Sequence, residues 1–297
     1  MNHTKKTSFY RLLEKGQCFA LVICVTPAFF IFEMSVVRPK IVDMYQMGPT
    51  KHALHVMLST FCFVNVVGNM LMSIFLDSFT KKSIENGIHC ERCNINRPEH
   101  AWHCNACGVC VFRRDHHCFF FAKCIGLRNK RYYLLYLIHV IISLVYSTYY
   151  NYFYVSSKFE ESDMLIAACR IFNPMLRYVV PEPMGPKDLY LLFLFLNVGL
   201  VIWTTCLAWF HIKNAVRGVT ARDFQNEKLF KTNKWRDNLL QIFGTKWYLA
   251  AIWPFAESPL LESNFDVHWS TKHYRNYYTS TTAIVLAVPG HSCHKDA

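Results

Sequence analysis

The chain has 297 residues, of which 53% are hydrophobic, 16% aromatic and 18% charged. It is more apolar and less charged than an ordinary soluble domain, which excludes a disordered protein. A net charge of +12, from 32 Lys and Arg against 20 Asp and Glu, would suit nucleic acid, but the apolar residues arrive in membrane-length blocks, where such an excess reads as positive-inside bias and attraction to anionic lipid.

Residues 1–15 form a basic N-terminal segment with Lys5, Lys6, Arg11 and Lys15. The first apolar block, Gly16 to about Val37, contains Pro27 and Glu33. Its basic flank is that of a signal peptide, but its length and the lack of an Ala-x-Ala cleavage pattern favour an uncleaved anchor. Glu33, near the far end, is expected to snorkel to the interface and is given no functional role. The second, third and fourth blocks, Ala53–Leu76, Tyr133–Val155 and Leu189–Ile212, contain no Asp, Glu, Lys or Arg. Each meets the roughly 20 residues that a helix needs to cross about 30 Å of hydrocarbon. The aromatic run Tyr146, Tyr149, Tyr150, Tyr152, Phe153 and Tyr154 reads as an interfacial belt at the lumenal end of the third span, with the lining of an apolar cavity as the alternative.

The expected fold is an all-α polytopic membrane protein with four transmembrane helices and a cytosolic zinc-binding, cysteine-rich domain between helices 2 and 3. Its segments are a cytosolic N terminus (1–15), helices 1 and 2 (16–76), the cysteine-rich domain (77–132), helices 3 and 4 with a lumenal loop (133–212) and a cytosolic tail (213–297). The side holding the N terminus, the segment 77–131 and the tail carries 25 of the 32 Lys and Arg, and is therefore expected to be cytosolic. The loop between the third and fourth spans carries Glu160, Glu161, Asp163, Glu182 and Asp188 against four bases, as a lumenal loop should.

Seven of the thirteen cysteines crowd one 35-residue window, which reads Cys90-x2-Cys93, then His103-Cys104-x2-Cys107-x2-Cys110, then Asp115-His116-His117-Cys118-x5-Cys124. In reducing cytosol, thiolate–metal chemistry is expected rather than a disulfide framework. Cys-x2-Cys puts two thiolates on one tight turn, and repeated pairs with histidines nearby are the pattern of structural zinc. Two closed sites use eight ligands, whereas seven cysteines and the five histidines 89, 100, 103, 116 and 117 are at hand. At least one side chain is spare. Cys118, directly after two histidines and an aspartate, is the candidate nucleophile, since a thiolate beside imidazole is reactive near neutral pH. The alternative is a further ligand or a buried thiol.

The run Cys90-x2-Cys93-x3-Arg97-Pro98-x4-His103-Cys104-x2-Cys107-x2-Cys110-x4-Asp115-His116-His117-Cys118-x5-Cys124-x4-Asn129-x3-Tyr133 resembles the cysteine-rich domain of the DHHC family of protein S-acyltransferases, or palmitoyltransferases. The four spans resemble that family's architecture over most of the chain. The resemblance implies two structural Zn2+ ions held in interleaved fashion, the first by Cys90, Cys93, His103 and Cys110, the second by Cys104, Cys107, His117 and Cys124. It implies Cys118 as the nucleophile, His116 as general base and Asp115 as the group that orients it. Departures from the family pattern are His100 where Arg is usual, Phe119-Phe120 where Pro-Trp is common, and Thr220-Ala221-Arg222-Asp223, a degenerate version of Thr-Thr-x-Glu. Asn238-x4-Phe243-Gly244 resembles a family element that packs near the membrane surface.

The implied reaction moves a long-chain acyl group from acyl-CoA (palmitoyl-CoA) through a Cys118 thioester to cytosolic cysteines of membrane-associated protein substrates. A membrane-tethered zinc scaffold and a weakly active family member are the alternatives. Arg113, Arg114, Lys123, Arg128, Lys130 and Arg131 flank the nucleophile, either for CoA phosphates or for lipid headgroups. Trp247–Trp253 is too short to span and reads as interfacial or packed on the domain. Cys18, Cys24, Cys62, Cys169, Cys206 and Cys293 read as ordinary small apolar residues or free thiols. The lipid bilayer is an expected partner and nucleic acid is not; the family resemblance implies an endomembrane home, Golgi or endoplasmic reticulum, with both termini expected in the cytosol.

Overall fold

A computed structural model describes residues 3–173, 175–179, 185–222 and 234–260. Asp223, Glu182, Cys293 and most of the expected tail lie outside the described residues.

Among the described residues, four helices are long and apolar enough to cross a membrane: α1 (Phe9–Met44), α2 (Pro49–Phe75), α3 (Lys130–Ser156) and, after the shorter α4 (Glu161–Phe172), α5 (Pro186–Val216). Two prolines shape α1. The π-helical stretches Leu21–Val25 and Glu33–Val37 end just before Thr26-Pro27 and Arg38-Pro39, and the N–H groups of Thr26 and Arg38 bond to Leu21 and Glu33, five residues back. Proline lacks an N–H and its ring crowds the preceding turn, so a wider turn lets the helix continue. Thr26 Oγ1 donates to Leu21 O at 2.9 Å, and Arg38 Nε to Met34 O at 2.9 Å.

The central helix is α3, which packs against both α2 and α5. One apolar cluster joins Met70, Tyr133, Leu134, Leu137, Ala208 and Ala215 of these helices to Cys118, Phe121 and Ile125 of the cysteine-rich segment. A second joins Val37, Ile41, Tyr154, Val155, Leu191 and Leu194 near the opposite ends. The outward faces keep large apolar side chains exposed, among them Met57, Leu196, Ile202 and Trp209, as suits helices that lipid surrounds.

Glu33 does not snorkel. Its Oε1 accepts from Ser147 Oγ at 2.7 Å and Asn151 Nδ2 at 2.6 Å, while Asn197 Nδ2 donates to Ser147 Oγ at 2.9 Å. Three helices thus share one polar cluster, the arrangement expected of an ionisable group that faces a bundle interior. The aromatic run also divides: Tyr146 reaches into the bundle, its hydroxyl 2.6 Å from His55 Nδ1, and Tyr154 is buried, whereas Tyr149 and Tyr152 are exposed.

The expectation of an all-α chain is corrected between α2 and α3, where seven short strands form three antiparallel units. β1 (Phe79–Thr80), β5 (Val109–Phe112) and β4 (Ala101–Cys104) make one sheet in the order β1-β5-β4; β2 (Ile88–Cys90) pairs with β3 (Ile95–Arg97), and β6 (His116–Cys118) with β7 (Lys123–Ile125). Each strand has two to four residues, too few for an alternating pattern to show in sequence.

Asn129 fastens this segment to the helices. It is fully buried; its Oδ1 accepts from Gly126 N–H at 2.8 Å, and its Nδ2 donates to the carbonyls of Ser73, Leu76 and Cys124 at 3.0–3.3 Å. The C-terminal end of α2, β7 and the start of α3 therefore meet on one side chain. After α5, Gly218 takes φ +72° with the Asn238 amide packed where a Cβ would stand, and Asn238 Nδ2 donates to Val216 O at 2.9 Å. Asn238 belongs to α6 (Trp235–Phe243), which is followed by α7 (Trp247–Ile252) with Trp247, Tyr248, Ile252 and Trp253 exposed.

Candidate active site and metal-ligand clusters

The ligand atoms of Cys90, Cys93, His103 and Cys110 lie within 4.8 Å of one another, and so do those of Cys104, Cys107, His117 and Cys124. Cys93 and Cys110 sulfurs are 3.7 Å apart and Cys107 and Cys124 sulfurs 3.6 Å, far beyond a disulfide's roughly 2.05 Å. Tetrahedral zinc with bonds of about 2.3 Å requires sulfur–sulfur edges of about 3.8 Å. The imidazoles complete the sets: His103 Nδ1 is 3.1 Å from Cys93 Sγ, and His117 Nδ1 is 3.3 Å from Cys107 Sγ and 3.7 Å from the sulfurs of Cys104 and Cys124. The donor sets fit a structural zinc each. The register explains the interleaving, since His103 stands opposite Cys110 on β4–β5, and His117 opposite Cys124 on β6–β7.

Cys118 belongs to neither cluster. Successive side chains of a strand point to opposite faces, so on β6 His117 turns to the sulfurs while His116 and Cys118 share the other face. Cys118 is 5% exposed in the apolar cluster with Tyr133, Leu134 and Leu137. Burial pushes its thiol up to about 11, with the backbone N–H groups of Phe121 and Phe120 pulling the other way. Such a thiol needs a base. Phe119 and Phe120 are exposed at the hairpin tip beside it, and Phe121 turns inward.

Asp115 is buried and takes four contacts. His116 Nδ1 lies 3.3 Å and His211 Nδ1 3.0 Å from its Oδ2; Lys130 Nζ lies 3.4 Å from its Oδ1, to which the Ala221 N–H donates at 2.7 Å. Burial alone would raise this carboxyl, but the Lys130 ammonium and the two imidazoles hold it well below the usual carboxylate range. The ammonium at hydrogen-bonding range also disfavours a metal cation among Asp115, His116 and His211. The His116 and His211 rings lie 4.8 Å apart at 33°, and the Tyr133 ring meets both edgewise.

Three partners of Asp115 escaped the sequence reading. His211 sits in the fourth span, where a lone histidine carries no spacing signal. Lys130 was counted among the flanking bases. At Ala221, in the degenerate Thr-Ala-Arg-Asp element, the donor is a backbone N–H, so the Ala side chain is immaterial to the bond. The flanking bases are engaged within the protein: Arg113 donates to Gln241 and Gly218 O, Lys123 to Ile74 O, Arg131 to Ser258 O and Arg114 to Cys124 Sγ.

A family model described as DHHC palmitoyltransferase matches residues 83–228. The chain is similar to Palmitoyltransferase ZDHHC22 of Danio rerio, with 25% identity over 74% of this chain and 82% of that protein. It is likewise similar to Probable palmitoyltransferase ZDHHC24 of Homo sapiens, with 26% identity over 72% of this chain and 78% of that protein. Over the shorter stretch of 89 residues it is 40% identical to Palmitoyltransferase erf2 of Schizosaccharomyces pombe, covering 30% of this chain and 25% of that protein. With the Asp115-His116-His117-Cys118 run set between two cysteine–histidine clusters, the chain belongs to the DHHC palmitoyltransferase family.

Proposed function

We propose that the chain is a protein S-acyltransferase in which Cys118 carries the acyl group between acyl-CoA and a protein cysteine. The observation that supports this most is the division of β6. Six of the seven clustered cysteines fall into two ligand sets, and the seventh stands on the opposite face with His116, whose ring is held by Asp115.

In the first step His116 takes the Cys118 proton, and the thiolate attacks the thioester carbonyl of acyl-CoA. The C–S bond to CoA breaks, and the departing CoA thiolate takes the proton back from His116. In the second step a substrate cysteine gives its proton to His116 and attacks the Cys118 thioester; the acyl group moves to the substrate and Cys118 regains a proton. One thioester is exchanged for another, so no ATP is consumed. Asp115 keeps the imidazole oriented and stabilises its cationic form, as in other triads.

The apolar surroundings of Cys118 at the ends of α2, α3 and α5 suit an acyl chain, whose burial is favourable by about 0.8 kcal/mol per CH2. Cys90, Cys93, His103 and Cys110 would hold one zinc and Cys104, Cys107, His117 and Cys124 a second. When bound, these ions cross-link the short hairpins that carry the nucleophile. The charge distribution favours both termini and residues 77–132 in the cytosol, and the family resemblance favours an endomembrane.

The test is incubation of purified, detergent-solubilised protein with a clickable long-chain acyl-CoA, comparing wild type with Cys118→Ser and weighing zinc in both. A hydroxylamine-sensitive label on wild type alone, with two zincs per chain in each protein, is the expected result. Equal labelling of both proteins would remove Cys118 from the reaction, and no labelling of either would favour a zinc scaffold.

A further inference from the structure

Glu14 is the only acid in the first fifteen residues, among Lys5, Lys6, Arg11 and Lys15. Its Oε2 lies 3.1 Å from Nε2 of His117, and both side chains are 14% exposed. The other ring nitrogen of His117, Nδ1, is the one that faces the sulfurs of Cys104, Cys107 and Cys124. An imidazole that gives its Nδ1 lone pair to a cation carries its proton on Nε2, so the N–H points at the Glu14 carboxylate. Histidines that ligate metals ordinarily hand their second N–H to such an acceptor, which fixes the tautomer and ring plane and raises ligand basicity.

We propose that Glu14 is the positioning residue of the second metal site, holding His117 by its outer nitrogen; this rests on the reading of that cluster as a zinc site. The same helix face continues inward. Cys18, one turn after Glu14, is buried, and Leu21 and Val22 pack against the apolar cluster that contains Cys118. The Glu14–His117 pair therefore fastens the beginning of the first span to the cysteine-rich segment, while Leu21 and Val22 reach the cluster that contains Cys118. A carboxylate from outside that segment completes its metal site.

The test uses the full-length, zinc-loaded protein in detergent. Zinc release to a chromogenic chelator is followed in wild type, Glu14→Gln and Glu14→Ala, with timed alkylation and mass spectrometry reporting which cysteines become free. In Glu14→Ala, one zinc is expected to leave about tenfold faster or more, with Cys104, Cys107 and Cys124 exposed early and Cys90, Cys93 and Cys110 protected as in wild type. Glu14→Gln, which keeps an acceptor oxygen without the charge, should fall between. Release from both sites at the wild-type rate in Glu14→Ala overturns the proposal and leaves the zinc reading standing. Wild-type protein that holds fewer than two zincs overturns both.

Discussion

His211 Nδ1 approaches Asp115 Oδ2 to 3.0 Å, closer than the 3.3 Å of His116 Nδ1 to the same oxygen. A transmembrane helix thus reaches the carboxylate that orients the proposed base, and the fourth span becomes part of the site. His211→Ala is expected to slow single-turnover acylation of Cys118 by roughly 10- to 100-fold, the cost of a small misplacement of a catalytic group. Zinc content and acyl-CoA affinity should stay unchanged. His211→Asn, which can still donate an N–H, should recover part of the loss; equal rates for His211→Ala and wild type would remove His211 from the site.

Ala221 contributes its backbone N–H to Asp115 Oδ1. Ala221→Thr is therefore expected to acylate within about twofold of wild type. Ala221→Pro removes the donor from a buried charge, which costs about 1.5–3 kcal/mol, so acylation should fall by roughly 10- to 100-fold. The helical start at Ala221 tolerates the proline ring itself. Acylation kinetics of the two variants side by side decide the matter.

Asn129 joins three carbonyls and one N–H of three elements. Asn129→Ala strands buried backbone groups at about 1–3 kcal/mol each, and should lower the midpoint of thermal unfolding in detergent by several degrees. Asn129→Asp should do worse, since a carboxylate then faces the carbonyls of Ser73, Leu76 and Cys124. A midpoint for Asn129→Asp equal to wild type would contradict the hydrogen-bond pattern.

Glu33 accepts from Ser147 and Asn151 within the bundle. Glu33→Gln preserves an acceptor and is expected to leave thermal stability within about 0.5 kcal/mol. Glu33→Leu should cost about 1–2 kcal/mol, the range for losing interhelical hydrogen bonds in a membrane. Unfolding in detergent of the two variants, measured together, separates a polar tie from a snorkelling carboxylate.

The cysteine and histidine spacing announced metal-binding pairs, because a Cys-x2-Cys turn brings its thiolates together locally, but the division into two interleaved sets came from the family resemblance and not from the spacing. The contacts that complete the site were not legible, for the opposite reason. Glu14 reaches His117 and His211 reaches Asp115 across long stretches of chain, and one acid or one histidine has no periodicity to announce it. Three of the four spans were plain from their uncharged lengths and the first from its length despite Glu33, whereas the strands were hidden by being shorter than one alternation pattern needs. Glu33 was misread because its place near the end of the first apolar block hinted at the surface, while its partners, Ser147 and Asn151, come from the third span.

The two-faced strand β6 does one thing more than sort ligands. An activated acyl donor is an electrophile that any exposed thiolate could attack, and this chain keeps six others close by. With His117 and Cys118 on opposite sides of a single backbone, the strand acts as a partition between the proposed nucleophile and the sulfurs of the Cys104 cluster. Adding one residue between His117 and Cys118 would turn the reactive thiol through that wall, and a self-inflicted acyl lesion on the scaffold would then compete with turnover.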